Sequence, residues 1–411
     1  MSFELAPVAG IAVYVHIPFC ASRCRYCDFH VVTGTPPQLI DRTLERTLDE
    51  ASWYAERLGR PSIRTIYLGG GTPSLIPPAR LGRFLDELGR RLGLDGSPQE
   101  WTIEANPESV SADFLRTASA AGVDRLSLGI QSFQDRLLRQ LGRRAKAAHI
   151  DAALDLVAAH WPGRLTVDLI TGTPGQTGAE LEDDLTRLTA IGPGHVSLYS
   201  LTVEPDTPLA RAIERGKVTP LADEVQDELW INARDRLIDR GYRWYEVSNF
   251  AFPGCESRHN TIYWQSEPYL GLGPAAVGTV PALAPAPDGS SATATIRLTN
   301  PGMPAYAAGD EWNRDVEVID ARTLLFEHFM LGLRTDDGVR FGRLRTVFGL
   351  DQPSVIALLR RCTDLWEAID PGPLGEGRVA LRPEGRLRAD GLLASFASVL
   401  NPDSGVTLPG G

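Results

Sequence analysis

A chain of 411 residues exceeds what one ordinary hydrophobic core holds, so a large domain with a smaller companion is expected. Its 43% hydrophobic and 23% charged residues are globular proportions; no apolar run is long enough to span a bilayer and no leader-like N-terminus is visible, which predicts a cytoplasmic protein with at most peripheral membrane contact. A net charge of -11 argues against an extended nucleic-acid surface, so nucleic acid is not an expected partner.

In chain order, short β-branched and aromatic runs alternate with amphipathic stretches. Strands are expected at Ile11–His16, Ile63–Leu68, Trp101–Ala105, Arg125–Gly129, Leu165–Ile170 and His195–Leu201. Between them, Gln38–Leu58, Ala79–Leu92 and Leu181–Ile191 carry apolar residues at helical spacing. The pattern predicts an α/β fold, a partial (β/α)6 barrel over residues 1–204, followed by a smaller α+β and helical domain over 205–411. In that second region helices are expected at Ala222–Arg240, Leu324–Leu333, Phe341–Phe348 and Pro353–Ala368. Residues Pro281–Thr295, rich in Pro, Ala, Ser and Gly, read as a flexible surface insertion, and the tail from Pro402 reads as frayed.

Three of the five cysteines fall within eight residues: Cys20, Cys24 and Cys27, directly after the first expected strand. A loop at the C-terminal end of a barrel strand is where such folds do chemistry. Three thiolates so spaced can hold three irons of a [4Fe-4S] cubane and leave the fourth open to a small chelating ligand. The competing reading is a zinc knuckle completed by His16 or His30. Phe29 stands where a fourth cysteine would be easy to place, and its ring would shield a cluster from water. Cys255 and Cys362 lie apart and read as ordinary, partly buried thiols.

The wording HIPFC…CRYCDF, with its C-x3-C-x2-C spacing, resembles the radical SAM superfamily, and within it the family of oxygen-independent coproporphyrinogen III oxidases and the heme chaperone branch, HemW. The resemblance implies a [4Fe-4S] cluster on Cys20, Cys24 and Cys27 and S-adenosylmethionine as its ligand. Gly69-Gly70-Gly71-Thr72 follows the second strand. Glycines there let backbone N–H groups approach a polar ligand, and the resemblance assigns Gly70, Gly71 and Thr72 to S-adenosylmethionine. Glu104, Gln131 and Asp168 recur at the ends of later strands, as a polar ligand above a barrel would require. The words EANPE, GIQSF, LGR and DLITGTPGQT match the family in order, which implies that Tyr14, Glu104, Gln131, Arg143 and Asp168 contact the same ligand. Two departures stand out. Leu141-Gly142-Arg143-Arg144-Ala145 lacks a histidine that relatives carry, and Gly271–Val277 lacks another histidine or serine.

Further on, His259-Asn260-Thr261-Ile262-Tyr263-Trp264 places a histidine beside two large aromatic rings, which suits an axial iron ligand with stacking for a flat macrocycle, and equally suits a packed core histidine. The string resembles the heme-binding motif of the chaperone branch and implicates His259. The expected function is a heme-binding, cluster-carrying chaperone that delivers heme or porphyrin to acceptor apoproteins and draws on an electron donor. The enzymatic alternative is coproporphyrinogen III decarboxylation in porphyrin biosynthesis. A zinc-stabilised binding module is the third reading.

Overall fold

The computed structural model describes residues 4–285, 291–309 and 312–400. Six parallel strands form its centre: β1 (Gly10–Ile17), β2 (Ser62–Gly70), β3 (Glu100–Ala105), β4 (Arg125–Gln131), β5 (Arg164–Thr171) and β6 (His195–Ser200). They include all six expected strands, with edges moved by one or two residues. Their burial is nearly continuous rather than alternating, as in β1, because helices cover one face and barrel contents the other. The covering helices are α1 (Pro37–Arg57), α2 (Pro78–Leu92), α3 (Ala112–Ala120), α4 (Ala147–His160) and α5 (Gly178–Ile191). The last opens with a capping box: Thr177 Oγ1 accepts from the Glu180 N–H at 3.2 Å, and the Glu180 carboxylate accepts from the Thr177 N–H at 3.0 Å.

Beyond Glu204 the chain adds α6 (Asp223–Asp239), then β7 (Arg243–Trp244) and β8 (Asn249–Ala251), which extend the sheet antiparallel to β6. The short helix α7 (Arg258–Trp264) returns the chain to the other edge. There β9 (Tyr269–Leu272) pairs in parallel with β1, and β10 (Val277–Pro285), β11 (Ser291–Thr299) and β12 (Asp315–Ile319) continue antiparallel. The strand order is β7-β8-β6-β5-β4-β3-β2-β1-β9-β10-β11-β12, an open barrel rather than a closed one.

The segment Pro281–Thr295 differs from the expected loose insertion. Pro281 to Pro285 pair with Ser291 to Thr295 as a hairpin, whose backbone ladder satisfies groups that the composition left without an obvious partner. Residues 286–290 of that segment, and the tail from Pro402, lie outside the described residues.

A separate apolar cluster, from Leu325 to Leu400, is built by α8 (Ala321–Gly332), α9 (Phe341–Phe348), α10 (Gln352–Leu359), α11 (Thr363–Ala368) and α12 (Ala389–Val399). The single helix expected over Pro353–Ala368 is thus two, broken at Arg360–Cys362. The Arg386 guanidinium stacks 3.8 Å above the Trp244 ring and donates to the Trp244 carbonyl, joining this cluster to β7. Among the described residues, no helix is long and apolar enough to cross a membrane.

Candidate functional site

The loop after β1 is tied down at both ends. Val32 N–H donates to the Pro18 carbonyl at 2.8 Å, and Arg25 bonds through its backbone to Leu141 and Leu209. Gly142, in the left-handed region at φ +71°, allows this approach, since a Cβ there would come within 2.8 Å of the Arg25 side chain. Cys20, Cys24 and Cys27 are free, half-buried thiols on this loop. Burial pushes the Cys20 thiol up to about 11 and the Cys27 thiol upward as well, so metal binding there releases protons.

The histidines of the zinc reading are otherwise engaged. His16 shares hydrogen bonds with the Tyr14 hydroxyl at 2.9 Å and the His30 carbonyl at 2.8 Å, and the His30 ring accepts from the Met303 N–H at 2.8 Å. Among the described residues no three Cys, His, Asp or Glu side chains converge at the spacing of a single ion, a convergence that thiolates on separate irons of a cluster do not need.

Above this loop lies a cavity of about 400 Å³ lined by all three cysteines, Gly70, Gly71, Thr72, Glu104, Gln131, Arg143 and Asp168. Ten of the eleven cluster and S-adenosylmethionine positions expected from the sequence or the resemblance line this cavity; Tyr14 alone stays off the wall, standing on β1 behind Gly70 with its hydroxyl hydrogen-bonded to His16. Phe29 is on the rim but 59% exposed, so it borders the mouth rather than sealing it.

The glycine loop works differently from the expectation. The N–H groups of Gly70, Gly71 and Thr72 donate to the Glu104 carboxylate and to the Ile17 and Phe19 carbonyls, at 3.0, 2.8 and 2.8 Å. They are therefore not available to a ligand. What glycine supplies is room: Gly70 has φ +98°, and a Cβ would overlap the His16 ring at 2.3 Å.

Two of the acids lining the cavity stand on strands. Glu104 accepts from the Tyr67 hydroxyl at 2.7 Å, and burial pushes its carboxyl up to about 7. Asp168 accepts from Ser127 at 3.1 Å, and burial pushes it up to about 6. Gln131 sits at a bulge in β4 with φ +70°, uncommon for a residue with a side chain, and its buried Oε1 has no partner. Arg143 NH1 lies 3.6 Å from Cys24 Sγ, its NH2 donates to the Asn106 side chain and the Gly129 carbonyl at 2.8 Å each, and its buried Nε has no partner. Unpartnered donor and acceptor atoms beside two acids without a charged partner in their bonds fit a zwitterionic ligand that carries a further positive charge. Asn106 joins the site although the sequence pattern assigns it no role; its position in EANPE, two residues past Glu104 on the same rim, is the signal for it.

A second cavity of about 400 Å³ shares Tyr199 with the first and is lined by Asn260, Tyr263, Trp264 and Glu246, whose buried carboxyl is pushed up to about 8. His259 is not on its wall. The ring is 1% exposed, Nδ1 bonds to the Thr65 hydroxyl and Nε2 to the Tyr263 hydroxyl at 2.8 Å each, and burial pushes its pKa down to about 3. In this arrangement both ring nitrogens are engaged by hydroxyl groups.

Residues 14–188 match the Radical SAM superfamily. The chain is 31% identical over 340 residues to "Heme chaperone HemW" of Bacillus subtilis, covering 82% of this chain and 87% of that protein. It is 40% identical over 282 residues to the protein of the same name from Mycobacterium tuberculosis, covering 67% and 72%. The solved structure of "Coproporphyrinogen III oxidase (HemN) from Escherichia coli" superposes with a TM-score of 0.76 over 95% of this chain and 90% of that one, at 20% identity, a likeness of fold.

Proposed function

The chain belongs to the radical SAM superfamily and, within its coproporphyrinogen-oxidase-like family, to the HemW branch, and from that membership we propose that it binds a [4Fe-4S] cluster, S-adenosylmethionine and heme and delivers the heme to acceptor proteins in the cytoplasm. The observation that carries the reading is the single cavity in which Cys20, Cys24 and Cys27 meet Glu104, Gln131, Arg143 and Asp168.

In this proposal Cys20, Cys24 and Cys27 hold the cluster, and the cluster, when bound, supplies an electron and an open iron for the methionyl group. Arg143 offers its guanidinium to the ligand's carboxylate. Glu104 and Asp168 balance its positive charge, and Gln131 gives an oxygen to a donor. Gly70, Gly71 and Thr72 leave it space, while Tyr14 acts from behind the wall through His16. Residues 1–204 carry this machinery, and 205–411 handle the heme, which is placed at the second cavity against the ring faces of Tyr263 and Trp264. An external electron donor is required to reduce the cluster.

The test is anaerobic reconstitution followed by iron and sulfide analysis and heme titration. Wild-type protein is expected to take up about four irons per chain, and each of Cys20→Ala, Cys24→Ala and Cys27→Ala to lose the cluster. Colourless protein holding zinc would overturn the cluster. Robust turnover of coproporphyrinogen with reductant and S-adenosylmethionine would overturn the chaperone reading in favour of the oxidase.

A further inference from the structure

Arginine has no acceptor, so the Asn106 atom 2.8 Å from Arg143 NH2 is the amide oxygen, and the orientation of the amide is thereby fixed. Its NH2 group faces Thr72 Oγ1 at 3.0 Å and donates to it. Having accepted that bond, the hydroxyl has its own hydrogen to give, and Cys20 Sγ lies 3.5 Å away. Arg143 meanwhile approaches Cys24 Sγ with NH1 at 3.6 Å. Thr72 is 3% exposed, so water competes little for its hydrogen.

We infer that Asn106 is a positioning residue: it directs the Thr72 hydroxyl onto Cys20 and holds Arg143 against Cys24, so that two thiolates receive hydrogen bonds that raise the cluster's reduction potential. The physical reason is charge. A reduced cluster is one unit more negative than an oxidised one, and a donor aimed at its sulfur stabilises the more negative state more. In a buried setting the effect is larger than in water. The electron donor's task is correspondingly easier. The inference rests on the cluster reading given above and adds to it a residue that touches neither the iron nor, in this geometry, the cysteines.

Asn106→Asp separates direction from shape. A carboxylate only accepts, so one oxygen keeps Arg143 while the other turns the Thr72 hydroxyl toward itself and away from Cys20. Thr72→Val removes the donor outright, and Thr72→Ser keeps it. The measurement is a redox titration followed by electron paramagnetic resonance on anaerobically reconstituted protein, with iron and sulfide content confirming equal loading. Both Asn106→Asp and Thr72→Val are expected to shift the reduction equilibrium against the reduced form by about three- to tenfold, or about 30–60 mV at 59 mV per tenfold for one electron. Thr72→Ser should stay at the wild-type potential, and the double variant should move no further than Asn106→Asp alone. Fully loaded Asn106→Asp and Thr72→Val proteins at the wild-type potential would overturn the inference while leaving the cluster reading in place. Wild-type protein that takes up no iron and sulfide would overturn both.

Discussion

Strand β3 carries two glutamates, the buried Glu100 and the half-buried Glu104, which the two-residue period of a strand points to one face, and the fold treats them in opposite ways. Glu100, at the start of the strand, accepts from Arg125 at 3.0 Å, from Arg164 at 3.3 Å, from the Ser257 hydroxyl at 3.2 Å and from the N–H groups of Arg258 and His259 that open α7. Its charge is matched, and it anchors a helix. Glu104, at the end of the strand, has a phenol and a backbone amide as partners, neither of them charged, and its carboxyl is pushed up to about 7. One end of the barrel uses a buried acid for stability; the other leaves its acid short of positive charge, as a site awaiting a cationic ligand does.

The largest effect should come from breaking the matched end. Arg125→Met leaves Glu100 charged and buried, and should cost about 3–5 kcal/mol in urea unfolding followed by circular dichroism. A loss no larger than that of an exposed pair would mean that the two ends do not differ.

The opposite end should respond to pH with a definite sign. Because the folded-state value of Glu104 is raised from 4.5 to about 7, the native state keeps a proton that the unfolded chain gives up, and wild-type stability falls as pH rises between those values. Asp168, raised from 3.8 to about 6, adds a slope of the same sign. Glu104→Gln cannot ionise and should escape its share of the loss, up to about 3 kcal/mol above pH 7, so unfolding midpoints compared at pH 5 and pH 8 should converge or cross in the variant's favour. Equal pH slopes in variant and wild type would refute the raised value.

A smaller effect tests the link between the two ends. His259 is held by Thr65 and Tyr263, and His259→Ala takes a partner from the buried Thr65 hydroxyl and the half-buried Tyr263 hydroxyl, a loss of about 1–3 kcal/mol in all. Heme affinity should change little. A collapse of heme binding at unchanged stability would restore His259 as a ligand.

The central strands were legible because short runs rich in β-branched and aromatic residues alternate with amphipathic helical stretches. The cysteine loop was legible for a different reason, its spacing. Other features depend on partners far away in sequence. The hairpin at Pro281–Thr295 lacks strong strand formers over much of its length and is held by its ladder and by β12, which the local composition does not disclose. The break at Arg360–Cys362 falls inside a continuous helical pattern. Asn106 reads locally as the first half of an Asn-Pro turn; its role exists only because Arg143, 37 residues on, meets it across the rim. His259 shows the reverse, a motif legible as a string whose chemistry is altered by the two hydroxyls folded onto its ring.

Gln131 has one more consequence. A left-handed backbone at a residue with a Cβ is uphill by about 1 kcal/mol or more, and glycine would adopt it without that cost. An amide at such a kink sets thermal robustness against the reach of one carbonyl oxygen into the cavity, so engineering this scaffold for heat tolerance by placing a glycine there would remove that oxygen from the wall.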